Sequence, residues 1–357
     1  MGSVYAGLLG DAGNDVWAVD TCIEHVEAIR AHGIRVEGAS GDRVVRIGAT
    51  IDAASVGVVD LVVIATKAAH VRDAASSSST LLGPDTVVLP IQNGLGSADI
   101  VAEIVGETRV VVGVVGGFGA SVIAPGHVHH HGMELVRLGE RKGSVTARTE
   151  RIAQLWRAAG FTVRLYDDVD RLVWEKLICN VGFSGPCTVL GLTIGEVLAD
   201  PDAWSVAARC ALETHSVAVA RGIRVEIDDP VSYLREFGRR IAGARPSMAL
   251  DVLAGRPCEI DVINGAIPPR AAAVGLAAPV NETVTALVKS LEARSLPRPT
   301  SSATVLARES GEERRDRGCG GVEIVPEHAV TAGHRHRLEL PEHGSLDRDP
   351  RAGAEDE

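Results

Sequence analysis

Lysine is nearly missing from this 357-residue chain: of 36 basic side chains, only Lys67, Lys142, Lys176 and Lys289 are lysines. Arginine is the default cation, so a lysine kept against that bias hints at a place where a compact, titratable ammonium is wanted. An excess of positive charge is also missing. The formal net charge of -11 argues against nucleic acid as a partner, because phosphate binding needs a basic face. The six cysteines contain no CxxC pair, which fits reduced thiols better than a disulfide framework or a zinc site. No apolar run reaches the roughly 20 residues of a membrane span, and the longest uncharged stretch, 110–126, is interrupted by glycines. No basic segment followed by an apolar core opens the chain, so a signal peptide is not expected and a cytoplasmic location is. What remains is ordinary globular composition, 45% hydrophobic and 23% charged, in a chain long enough for about two domains.

The first half alternates helix and strand patterns at short intervals. Residues 3–12 read as an amphipathic helix that Gly13 can close, 15–19 as a strand ending in Asp20, and 24–32 as a helix closed by Gly33. The runs 60–65 (DLVVIA), 86–89 and 109–115 are almost wholly apolar, as suits strands covered on both faces by helices. Such alternation predicts an α/β fold with a Rossmann-like, doubly wound parallel sheet, whose ligands sit at the carboxyl ends of the strands. Beyond about Asp167 helical patterns take over, at 170–181, 202–221, 231–241, 249–266 and 280–294. The expected organisation is a dinucleotide-binding domain over 1–166, a helical substrate domain over 167–296 and a disordered tail over 297–357, which is charge-dense and lacks aromatics. No internal repeat is evident.

A dinucleotide fold opens with a strand and then GxGxxG leading into a helix, whose amides hold the pyrophosphate. Here Gly2 stands where the third glycine would be, with Asp20 following at the end of the next strand. Strand one and the first two glycines have no counterpart, so the functional protein is expected to carry more N-terminal residues. A carboxylate at Asp20 would hydrogen-bond the ribose hydroxyls of NAD and repel the extra phosphate of NADP.

Lys67 follows DLVVIA, and Asn93 sits in IQNG directly after the next strand. Both therefore fall at the edge where a cofactor would lie. The plainer alternatives are a snorkelling lysine and a turn-forming Asn-Gly. Lys176 lies in RLVWEKLICNVGFSG, where Trp174, Leu177, Ile178 and Val181 form an apolar face, and Asn180 is stacked one turn beyond the lysine. Among such neighbours an ammonium is partly desolvated, which lowers its pKa toward neutrality. An ion pair with Glu175 is the alternative.

Together with PSMALDVLAGRPCEIDVING at 246–265, these motifs resemble the ketopantoate reductase family, over nearly everything from Gly2 to about Arg294. The resemblance implies a Rossmann domain followed by an all-helical domain of the 6-phosphogluconate dehydrogenase C-terminal type, with the site between them. It implies reduction of 2-dehydropantoate to pantoate by NADP(H), with NAD(H) kept open by Asp20. By the same token Lys176 would be the general acid, Asn93 would touch cofactor and substrate, and Lys67, Glu259, Gly2 and Asp20 would serve the cofactor. Asn180 and Ser247 would bind substrate, as would Ser184, which stands where the family usually has a second asparagine. The implied partner is a small 2-oxo acid, with a homodimer left open.

Pro268 and Pro269 fall where a family helix normally continues, and two prolines are expected to break or kink it. Rival readings are another dehydrogenase of the same two-domain plan, such as a hydroxyisobutyrate or glycerol-3-phosphate dehydrogenase, a related reductase of another small 2-oxo acid, and a cofactor-free relative. The run HVHHHG places His127, His129 and His131 on one strand face. With no carboxylate or cysteine close by in sequence, it reads as a solvent-facing strand at a sheet edge, and no metal is assigned.

Overall fold

The computed structural model describes residues 1–295 apart from 118, 133 and 134. The expected tail at 297–357 lies outside the described residues. The chain starts in α1 (Gly2–Asp11), then β1 (Trp17–Val19), α2 (Ile23–His32), β2 (Ile34–Gly38), β3 (Arg43–Val45) and β4 (Gly48–Thr50). It continues through β5 (Val59–Ile64), α3 (Val71–Ser77), β6 (Leu82–Pro90), α4 (Ser97–Val105) and β7 (Val111–Gly116). The strands β8 (Gly119–Ala124), β9 (His127–Gly132) and β10 (Leu135–Glu140) follow, and then α5 (Ala147–Ala158) and β11 (Thr162–Leu165).

β1 pairs with β4, β5 with β6 and β10 with β11, all in parallel, and a bridge between Val88 and Val110 carries β6 toward β7. The apolar runs of β6 and β7 are buried on both faces, as the absence of alternation predicted. The structure adds antiparallel pairs that the pattern did not reveal: β7 with β10, and a four-stranded sheet ordered β3-β2-β9-β8. Two of its joins, β2–β3 and β8–β9, are made through loops far too short for the crossover that parallel strands need. At the tip of β8–β9, Gly126 has φ +72° and its absent Cβ would lie 3.0 Å from Ala28. α1 is fixed by burying Val4, Tyr5 and Leu8, with the Tyr5 ring 5.1 Å from Trp156 and Trp156 4.8 Å from Phe161.

The second half is helical: α6 (Val169–Leu190), α7 (Ile194–Ala199), α8 (Pro201–Ala220), α9 (Pro230–Arg240), α10 (Ser247–Leu253), α11 (Ile267–Ala272) and α12 (Pro279–Ser295). Three expectations need correction. α6 does not stop near Val181 but runs on through Pro186 to a left-handed cap at Gly191. Phe183 and Cys187, buried on the extra turns, supply apolar packing that outweighs the backbone hydrogen bond lost at the proline. The stretch 249–266 is not continuous helix but α10 followed by coil and two short 3₁₀ turns. Pro268 and Pro269 do not break a helix; they occupy the first turn of α11, where their missing N–H groups have no intrahelical acceptor to lose.

Around α6 a buried polar network ties three helices. Asn264 Nδ2 donates to Val181 O and Asn281 Oδ1, and Asn281 Nδ2 donates to Cys210 O. Cys179, Cys187, Cys210 and Cys258 carry free thiols, but Cys22 is disulfide-bonded, which corrects the expectation of reduced thiols throughout. Among the described residues no helix is long and apolar enough to cross a membrane.

Candidate active site

The carboxyl ends of β1, β5, β6 and β7 deliver Asp20, Lys67, Asn93 and Gly116. Gln92 holds two of these ends together, its Nε2 donating to Ile64 O (2.6 Å) and Thr66 O (3.2 Å). The turn after β6 is pinned to the helical half: Leu95 N donates to Val262 O at 2.9 Å. Gly94, at φ +80°, lies so near that carbonyl that a Cβ would stand 2.2 Å from it. Only glycine meets both conditions. The Asn-Gly pair is therefore a turn and a site element at once.

Across this edge lies Lys176 on α6. Its Nζ donates to Asn93 Oδ1 and to Val115 O, each at 2.5 Å. These two acceptors use two of the three ammonium protons and leave a third donor direction. Burial lowers the Lys176 pKa to about 8; the charge of Arg137 pushes the same way and that of Glu259 opposes it. The expected desolvation is present. The alternative partner, Glu175, is engaged elsewhere, accepting from Glu226 N at 2.8 Å.

Asn180, one turn along α6, lines a small cavity with Lys176, Asn93, Gln92 and Val114. Ser184, a further turn on, is buried, and Ser247 is exposed on the first turn of α10. Neither is a hydrogen-bond partner of the Lys176 ammonium. Such a group, beside neutral amides and half shielded from water, can steady negative charge on a carbonyl oxygen and then release a proton to it.

Lys67 and Glu259 also meet the opposite half. Lys67 Nζ lies 2.6 Å from Asp251 Oδ2, and the Asp251 carboxylate also accepts from Arg256 Nε (3.1 Å) and Nη2 (3.0 Å). Glu259 Oε1 accepts from Ala68 N at 3.2 Å. Asp251 sits four residues after Ser247, on the same face of α10. Asp251 belongs to the PSMALDVLAGRPCEIDVING motif.

The first N–H groups of α1 have no side-chain cap. Burial lowers the pKa of the Met1 amino group; the charge of Lys67 pushes the same way and that of Asp20 opposes it. His25 supports this end of α1 through Ser3 Oγ, 3.1 Å from its Nε2. A helix N-terminus, an ammonium and a carboxylate at the end of β1 match the pyrophosphate and ribose of a nicotinamide dinucleotide. The N–H groups at Gly2, the Lys67 ammonium and the accepting carboxylate of Asp20 thus fit that group.

The histidines share a face as predicted, but β9 is not an edge strand; it runs between β2 and β8. Nor is a carboxylate distant. β2 brings Glu37 to 3.0 Å from His127 Nε2 and 3.3 Å from His129 Nδ1, while His131 Nε2 lies 2.7 Å from Ser121 Oγ. Among the described residues no three-ligand metal cluster forms.

Comparison with known proteins follows the same lines. A family model described as ketopantoate reductase PanE/ApbA matches residues 1–143, and its C-terminal counterpart matches 168–292. A 2-dehydropantoate 2-reductase of Halobacterium salinarum is 30% identical over 290 residues, covering 81% of this chain and 95% of the relative. One of Streptococcus pyogenes serotype M1 is 26% identical over 294 residues, covering 82% and 95%. Among solved structures, a PanE/ApbA family ketopantoate reductase from Ralstonia eutropha JMP134 has a TM-score of 0.75 at 30% identity, covering 82% of this chain and 97% of that one. D-mandelate dehydrogenase, in a ternary structure with NADH and anilino(oxo)acetate, has a TM-score of 0.76 at 25% identity, covering 82% and 95%.

Proposed function

The chain belongs to the ketopantoate reductase family of NAD(P)H-dependent oxidoreductases, and on that premise we propose that it reduces a small branched 2-oxo acid, 2-dehydropantoate in the first instance, to the 2-hydroxy acid. The carrying observation is the Lys176 ammonium, fastened by Asn93 Oδ1 and Val115 O with its pKa lowered to about 8. A bound nicotinamide supplies the hydride. As negative charge grows on the substrate oxygen, Lys176 stabilises it with its third N–H and then donates that proton. Asn93 fixes the direction of the ammonium, and Asn180 orients the substrate one turn along α6. Ser184 and Ser247 complete the substrate-side assignment, and Gly2, Lys67, Asp20 and Glu259 the cofactor side.

The cofactor preference follows from Asp20, an exposed carboxylate that accepts from Cys22 N at 2.9 Å. It favours the ribose hydroxyls of NADH over the 2′-phosphate of NADPH. A second substrate reading, an aryl 2-oxo acid, is supported by the likeness to D-mandelate dehydrogenase. A spectrophotometric screen of 2-dehydropantoate, other branched 2-oxo acids and aryl 2-oxo acids with each reduced nicotinamide tests all of this. The expected result is highest kcat/KM with a branched acid; no turnover with any 2-oxo acid would sink the proposal.

A further inference from the structure

We propose that Arg137 is the anchor for the substrate carboxylate. The inference rests on the 2-oxo-acid reading of Lys176 and adds a charged group to it.

A 2-oxo acid carries its negative charge on the carbon next to the carbonyl that is reduced. A site that brings the carbonyl oxygen to Lys176 must therefore meet a carboxylate close by, and Asn93 and Asn180 offer only neutral dipoles there. Arg137 lies in the middle of β10, between the fully buried Val136 and Leu138. Its own side is turned the other way, toward α6. Arg137 is paired with Val114 of β7, and Val114 lines the cavity shared by Lys176, Asn93 and Asn180. The same face carries Gly139, whose absent Cβ would lie 2.8 Å from Val169 at the start of α6.

The guanidinium reaches toward the carboxyl end of β7. Its Nη1 would lie 3.2 Å from a Cβ on Gly116, the residue after the carbonyl that holds Lys176. Its charge is felt at Lys176, at Glu175 and at Tyr233 of α9, so it sits where the sheet meets the helices. Arg137 is only partly exposed, yet it forms no hydrogen bond or ion pair with any described residue. Glu175, a carboxylate that feels its charge, is held by Glu226 N and lies 4.0 Å from Arg171 Nε.

A partly exposed guanidinium with no counter-ion of its own is open to take one. A ligand carboxylate would supply the counter-ion, and the planar guanidinium would take both of its oxygens in the fork geometry that a lysine cannot reproduce. Held so, the adjacent carbonyl is aimed at the third N–H of Lys176.

The test compares the wild-type enzyme with Arg137→Gln and Arg137→Lys, using the best 2-oxo acid from the screen and its neutral 2-oxo amide. For Arg137→Gln the KM of the acid should rise roughly 10- to 100-fold, as for loss of a hydrogen bond to a charged group. The KM of the nicotinamide should change little, the preference for acid over amide should collapse, and Arg137→Lys should restore part of it. The acid-to-amide ratio is independent of how much of each variant folds. Equal losses for acid and amide, or no loss for either, would overturn the assignment while leaving the 2-oxo-acid reading intact. A wild-type enzyme that reduces no 2-oxo acid would remove that reading, and this one with it.

Discussion

Lys67 and Asp251 meet at 2.6 Å, joining the end of β5 to helix α10 across 184 residues of sequence. The pair is uneven: the lysine side chain is 48% exposed and the aspartate 9%. The lysine is open to solvent, and the buried aspartate holds Arg256 as well.

This asymmetry separates two effects. Lys67→Ala should raise the KM for the nicotinamide with little loss of stability, since Asp251 retains Arg256. Replacing both cations leaves a buried carboxylate unpaired and should cost about 1–3 kcal/mol, measured by chemical denaturation. A double variant as stable as wild type would show that the carboxylate does not need them.

Lys176→Ala should lower kcat by about 100-fold or more, with cofactor affinity, read by fluorescence titration, nearly intact. Lys176→Arg should not restore turnover, because a guanidinium does not release its proton at any usable pH. Wild-type turnover in either variant removes Lys176 from the chemistry.

The reductive rate should be level below neutrality and fall as pH rises through about 8, where the Lys176 ammonium loses the proton it must donate. Because the charge of Arg137 pushes this pKa down and that of Glu259 holds it up, Arg137→Gln should move the alkaline limb to higher pH and Glu259→Gln to lower pH. A limb that moves to lower pH in Arg137→Gln, or to higher pH in Glu259→Gln, would count against the arrangement.

Asp20→Asn should weaken discrimination against NADPH, and Asp20→Asn with Thr21→Arg should favour it, since charge at this position selects between ribose hydroxyl and phosphate. The ratio of kcat/KM for the two nicotinamides reads this directly. An unchanged ratio would place the selecting contact elsewhere.

Pro268→Ala and Pro269→Ala should each change stability by less than about 1 kcal/mol, because both prolines sit in the first turn of α11, where no hydrogen bond is lost. Thermal unfolding would expose a larger effect, which would mean the prolines do more than start the helix.

The placement of the candidate residues on strand ends and one helix stripe was legible because those signals are local. The apolar runs ending at Ile64 and Pro90 mark strands whose ends carry Lys67 and Asn93. The four-residue spacing of Lys176, Asn180 and Ser184 puts them on one stripe of a helix whatever surrounds it. The errors arose where local rules met distant packing. Pro186 ends a helix by propensity but is carried inside α6 by the burial of Phe183 and Cys187. Glu37 is 90 residues from His127, and only the parallel register of β2 with β9 brings them together.

From the residues alone came the alternation of strand and helix, the family motifs, and the choice of Lys176 as the group to watch, since backbone periodicity and side-chain chemistry travel with each short segment. The partners of that lysine came only with the folded chain. Asn93 lies 83 residues away and Val115 lies 61 away, while Arg137 approaches through strand pairing. Their meeting depends on which strands and helices become neighbours, a result of burying apolar surface across the whole molecule that no short stretch of sequence carries.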